Sequence, residues 1–98
     1  MATVSLSPRC LADLERIFEF IAQSDPKAAR LTVRHLRKAI EMLADHPLIG
    51  RAMESDYREL VIARGRIGYV ALYRWHEEFD DVLVLSVKHQ REAGYGGE

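Results

Sequence analysis

The chain ends in VLVLSVKHQREAGYGGE, where an apolar stretch passes into Lys88, His89, Arg91 and Tyr95. Those types at that spacing could do chemistry. An imidazole titrates near neutrality and moves protons. A guanidinium grips a phosphate or carboxylate through two parallel bonds. A phenol stacks on a base or donates a proton. Arg58, Arg64, Arg66 and Arg74 fall on the strand-like runs just before. Together they supply what RNA cleavage needs: a base, a cation beside the phosphate and an acid for the leaving oxygen. The same residues read equally as a recognition tail, or as a solvated strand face with a polar terminus.

Two further sets stand out. Arg30, Arg34 and Arg37 are spaced i, i+4, i+7 and share one helical face. That face is either ordinary solvent-exposed surface or a basic ridge for an acidic partner. Tyr73 and Trp75 alternate with Tyr69 and Ala71 onto one side of a strand. There they serve the core or, if the helices leave that side open, a groove for a partner's apolar helix.

The elements that must position these residues are marked in the sequence. ATVSL alternates and reads as a short strand. Ser7-Pro8 then supplies a capping hydroxyl and a proline suited to a first helical turn. Leu11, Leu14, Ile17, Phe18 and Ile21 form the stripe of that helix. Asp25-Pro26 repeats the signal, followed by Ala29, Val33, Leu36, Ile40 and Leu43. So short a break folds the two helices into an antiparallel hairpin. His46-Pro47 ends the second one, and PLIGRAMESD reads as a loop. Strands are predicted over 57–63, 67–75 and 82–89, with Gly65 in the first connection. The last is apolar on both faces and is placed centrally. The fold class is α+β, ordered β-α-α-β-β-β, with a helical hairpin on a small antiparallel sheet.

Bulk properties narrow the function. At 98 residues one domain is expected. A net charge of −1 argues against non-specific phosphate binding. The single cysteine, Cys10, forms no internal disulfide and reads as a small apolar residue of the first helical turn. The four histidines are scattered, no glycine-rich phosphate loop is present, and no metal or other cofactor is expected. With no signal pattern and no apolar run near ~20 residues, a cytoplasmic protein is expected.

Several phrases in this order resemble the RelE/ParE superfamily, the toxins of type II toxin–antitoxin pairs. They are LADLERIFEFIAQSDPKAA, HPLIGR, YRELVIARGRIGYVALYRW and VKHQREAGY, together spanning about residues 3 to 95. The resemblance implies the fold above, a ParD- or RelB-like antitoxin that wraps the toxin, and a hetero-oligomer with it. It also implies one of two targets. RelE-like members cut messenger RNA in the ribosome; ParE-like members poison DNA gyrase. For a nuclease the candidates are Arg58, His89, Arg91 and Tyr95. However, the strand arginine that such enzymes carry after a Gly-Tyr pair is replaced here by Val70, after Gly68-Tyr69, and a further arginine is met by His89. The D-P-x-A-A break and the R-E-L-V strand look more like ParE. The expectation is therefore a ParE-like gyrase inhibitor that contacts its target through Arg58, Arg74, His89, Arg91 and Tyr95. The antitoxin would contact Arg30, Arg34, Arg37, Tyr73 and Trp75. The alternatives are the ribonuclease, and an inactive homologue that only binds its antitoxin.

Overall fold

The computed structural model describes residues 1–92. Its order is β1 (Thr3–Leu6), α1 (Pro8–Ala22), α2 (Pro26–Glu41), β2 (Arg51–Ala52), β3 (Tyr57–Arg64), β4 (Ile67–His76) and β5 (Asp81–His89), with single 3₁₀ turns at Met42–Ala44, Glu54–Asp56 and Gln90–Glu92.

Both helices begin where the sequence predicts. Ser7 Oγ accepts from the Cys10 N–H, and an Asp25 carboxylate oxygen accepts from the Ala28 N–H. Each cap satisfies one amide that the first turn leaves without a partner.

The sheet is five-stranded, in the order β1-β5-β4-β3-β2. It is mixed rather than antiparallel: β1 pairs with β5 in parallel, Leu6 opposite Val84. The hairpin itself is the crossover that carries the chain away and lets β1 be joined from the far end. The expected loop after α2 also contributes β2, a two-residue strand beside Glu59 and Arg58. The last strand lies between β1 and β4, as its apolar faces predict.

Leu14, Ile17, Leu36, Ile40 and Leu43 pack onto Ile62, Tyr69, Tyr73, Val82, Val84 and Val87. A fully buried Leu or Val contributes about 1.5–3 kcal/mol of transfer free energy. The stripe of α1 is rotated from the predicted one. Leu11 is exposed, while Cys10 and Asp13 are buried. Val33 is likewise only half-buried, and Thr32 takes its place in the interior.

Asp13 is buried beneath β5, which is bulged and which runs past the end of β1. Leu72 pairs with Ser86 but Tyr73 pairs with Val84, so Leu85 is an extra residue. A bulge frees main-chain groups from the ladder. Asp13 Oδ2 accepts from the Val87 N–H at 3.0 Å, and Ser7 Oγ donates to the Leu85 carbonyl at 2.9 Å. Arg16 completes the first group through Asp13 Oδ1 at 3.0 Å. Two side chains of one helix thus hold the irregularity in β5.

Candidate functional site

The predicted target-contact residues fall into two places. Arg58 lies opposite Tyr73, and Arg74 lies opposite Tyr57. His89 lies opposite Tyr69, four residues back along β4 and on the other side of it. From residue rise and strand spacing, the Arg58 and His89 Cα atoms are about 16 Å apart. Arg91 is exposed in the turn after β5, beside His89. Tyr95 lies outside the described residues.

At the first place the polar groups hold a loop. Arg58 Nη1 donates to the Gly50 carbonyl at 2.8 Å and to the Leu48 carbonyl at 3.3 Å. The Tyr73 hydroxyl donates to the Pro47 carbonyl and accepts from the Gly50 N–H, both at 2.8 Å. Gly50 is required here, since a Cβ would lie 2.6 Å from the Tyr73 ring and hydroxyl. Arg51 pairs with the buried Glu59 across β2 and β3. Burial raises the Tyr73 hydroxyl pKa, partly offset by the Gly50 hydrogen bond and the Arg58 charge. The loop so fixed exposes Leu48 and Ile49. Arg74 stands over the Tyr57 ring, 5.5 Å from its centroid, a cation–π contact.

Tyr73 therefore corrects one expectation. It is fully buried and belongs to the core, so it offers no surface for an antitoxin. Trp75, at the same end, is half-buried against the core and donates through Nε1 to Asp80 at 3.2 Å.

At the second place the groups meet an apolar surface. His89 packs edge-on to Tyr69, with centroids 5.5 Å apart and planes at 71°. Its Nδ1 accepts from the Arg91 N–H at 3.1 Å. In the neutral ring that bond favours the tautomer with its proton on Nε2.

Arg30, Arg34 and Arg37 are all exposed on α2. With Lys38 and one acid, Glu41, they rim a groove of about 520 Å³ that also holds Phe18 and Val33. The helix carries Lys27, Arg30, Arg34, Arg37 and Lys38 against one acid, Glu41. The β4–β5 turn carries Glu77, Glu78 and Asp80, with Asp81 next to it at the start of β5. A net charge near zero therefore conceals two strongly charged regions of opposite sign.

Cys10 is fully buried. Burial first, and the Asp13 carboxylate second, push its thiol up to about 11, against a smaller opposing effect of Arg37. It is an unreactive core residue at neutral pH. Among the described residues no cluster of His, Cys, Asp or Glu is arranged to hold a metal ion. No helix among them is long and apolar enough to cross a membrane.

What sequence reasoning missed is the pair Ser7–Asp13 beneath β5 and the groove beside His89. Asp13 gave one signal, an acid among apolar residues of the α1 stripe.

Comparison with known proteins agrees with this architecture. The profile of the family described as "ParE toxin of type II toxin-antitoxin system, parDE" matches residues 4–94. Toxin RelE3 of Caulobacter vibrioides is 32% identical over 92 residues, covering 94% of this chain and 98% of the relative. Toxin RelE1 of the same organism is 33% identical over 72 residues, covering 74% and 77%. In the solved structure of the chromosomal ParDE system from P. aeruginosa, one chain superposes with a TM-score of 0.74 at 19% identity, covering 91% of this chain and 96% of that one. A chain of the intact E. coli RelBE toxin–antitoxin complex gives 0.66 at 18% identity, covering 90% and 95%. At such identities the two structures speak to the fold alone. The family profile and the Caulobacter relatives go further: the chain belongs to the ParE toxin family within the RelE/ParE superfamily of type II toxin–antitoxin systems.

Proposed function

We propose that this toxin acts in the cytoplasm by binding its target and not by cutting RNA. DNA gyrase is the target, and a cognate ParD-like antitoxin holds the toxin inactive in a hetero-oligomer. The observation that carries this reading is the scatter of the nuclease candidates. The Arg58 and His89 Cα atoms are about 16 Å apart, so only side chains extended towards each other could meet at one phosphate. Arg58 is also tied to two carbonyls, and His89 has its Nδ1 lone pair occupied. A binding protein needs exposed anchors rather than a convergent set of proton carriers. His89 and Arg91, at the end of β5, are the contacts assigned to the target.

The antitoxin reading rests on α2. A groove that holds Phe18 and Val33 and carries four basic residues against one acid, Glu41, suits an acidic segment bearing apolar side chains. Reversing Arg30, Arg34 and Arg37 to Glu together lowers antitoxin affinity by about a hundredfold, consistent with two to three kcal/mol lost over three contacts. Unchanged affinity by calorimetry would remove α2 as that interface.

The target is tested by expressing the chain without antitoxin and following which process fails first. Gyrase poisoning gives DNA-damage signalling and filamentous cells while messages stay whole. Messages broken once per codon with immediate translational arrest would instead identify a ribonuclease. Normal growth at full expression would identify a homologue that has kept only its antitoxin contact.

A further inference from the structure

The β4–β5 turn reads Glu77-Glu78-Phe79-Asp80, with Asp81 opening β5. Four acids thus flank one aromatic ring, and that ring is 75% exposed. Turns favour small polar residues, and a phenylalanine at this tip buries little in its own chain. The turn is held in one shape. The Phe79 and Asp80 N–H groups donate to the His76 and Glu77 carbonyls, both at 3.2 Å. The Thr3 N–H donates to the Asp80 carbonyl at 3.1 Å, which ties the turn to β1. Asp80 accepts from Trp75, and Asp81 bonds His76. The two acids nearest the sheet are thereby engaged. Glu77 and Glu78 are exposed and have no hydrogen-bond or ion-pair partner among the described residues.

α2 is the complement of this turn. Arg30, Arg34, Arg37 and Lys38 are exposed and have no ion-pair partner among the described residues. The groove they rim holds Phe18 and Val33. No residue of the turn lines that groove in its own chain. One chain therefore displays an acidic loop with an aromatic tip and a basic groove with an apolar interior, and does not join them.

We infer that the β4–β5 turn of one copy docks in the α2 groove of a second copy of this chain. Phe79 enters against Phe18 and Val33, and Glu77 and Glu78 meet the guanidinium groups of Arg30 and Arg34. Turn and groove are different surfaces, so the contact is heterologous and every copy offers one of each. A single turn buries less than the ~1,200 Å² of a standard interface, so the association is weak, with a dissociation constant on the order of 10 μM. It rests on exposed charges and is therefore sensitive to salt. A nucleic acid would satisfy the α2 cations but leave the acids and the ring of the turn without a role; a second copy uses both surfaces. The contact needs no antitoxin and goes beyond the antitoxin reading. Where an antitoxin takes the same groove, it and the second copy exclude each other.

The test is sedimentation velocity on the full chain freed of antitoxin, at about 1 to 200 μM protein and at about 50 and 500 mM salt. The mean mass rises with concentration at low salt and returns to that of the monomer at high salt. Phe79→Ser, Glu77→Lys with Glu78→Lys, and Arg30→Glu with Arg34→Glu each weaken association by at least about tenfold. Melting temperatures stay close to wild type, because all five side chains are exposed. The two charge-reversed proteins stay monomeric apart and associate when mixed, since turn and groove then meet with opposite charge. A wild-type chain that is monomeric throughout would overturn the inference. So would association that all three variants leave intact, which would place the contact elsewhere. Association lost on nuclease treatment would put a nucleic acid on α2 and overturn it too. The antitoxin interface is judged separately, by the affinity of the triple reversal described above.

Discussion

Arg58 and Tyr73, at one end of the sheet, direct their hydrogen bonds to the main chain of residues 47–50. His89, at the other end, accepts from the Arg91 N–H through Nδ1 and lines an apolar groove. A guanidinium and a phenol look reactive in a sequence, yet here they act as internal braces. An imidazole at a strand terminus looks peripheral, yet it borders an apolar groove beside α1. The difference lies in what stands nearby. A cation within reach of unpaired carbonyls satisfies them, whereas the His89 ring meets hydrocarbon and a single amide.

The comparison is sharpened first where the effect is largest. Tyr73→Ala removes a fully buried ring and both loop hydrogen bonds. Chemical denaturation should show a loss of about 3–5 kcal/mol. Tyr73→Phe isolates the hydroxyl and should cost about 1–3 kcal/mol, because it leaves the Gly50 N–H without its partner. If either change left stability intact but abolished target binding, Tyr73 would be a contact residue and the contrast would fail.

The second prediction concerns the ground beneath β5. The Cys10 thiol, held neutral with its pKa at about 11, lies near Asp13, which grips Val87. The folded state binds this proton more tightly than the unfolded chain does. Its contribution is therefore complete below the ordinary thiol value near 9 and disappears as pH rises towards 11. Roughly 2–3 kcal/mol should be lost across that window. Cys10→Ala should flatten the profile there, leaving only the later loss from Tyr73, whose raised hydroxyl pKa acts in the same direction at higher pH. A wild-type profile identical to that of Cys10→Ala would show that the thiol is not buried in solution.

Next comes the pair of cations and rings themselves. Arg58→Met removes two hydrogen bonds to carbonyls and should destabilise by about 1.5–3 kcal/mol, the range for bonds to a charged group. Target binding should change no more than stability explains. His89→Ala should do the reverse: it loses one edge-on contact with Tyr69, worth about 0.5–1.5 kcal/mol, while target inhibition falls disproportionately. Equal ratios of lost inhibition to lost stability at Arg58 and His89 would erase the distinction between the two ends.

Much of this architecture is legible in the chain because it is encoded locally. Ser7-Pro8 and Asp25-Pro26 announce both helices through groups two or three residues away. The β3–β4 connection is marked by Gly65, whose φ of +62° suits a residue without Cβ. What escapes the sequence depends on distant partners. The parallel pairing of β1 leaves no mark in ATVSL, since the same alternation serves either direction. The Leu85 bulge is hidden because VLVLSV is apolar on both faces, so no alternation reveals the slip. Leu11 fits the predicted stripe by spacing, yet it is exposed and Asp13 is buried. Only the Val87 N–H freed across the sheet makes Asp13 the better interior residue. Tyr73 is unreadable for the same reason, as its hydroxyl partners lie 26 and 23 residues back in the loop. The ridge of Arg30, Arg34 and Arg37 is the opposite case: helical spacing alone places it, and it is exposed as spaced.

The claim that matters most is that this toxin binds and does not cut. Purified ribosomes carrying a defined message, incubated with the wild-type chain alone and mapped by primer extension, address it directly. The account predicts full-length message at toxin concentrations that fully block supercoiling. Breaks recurring at each codon, absent with His89→Ala, would contradict it.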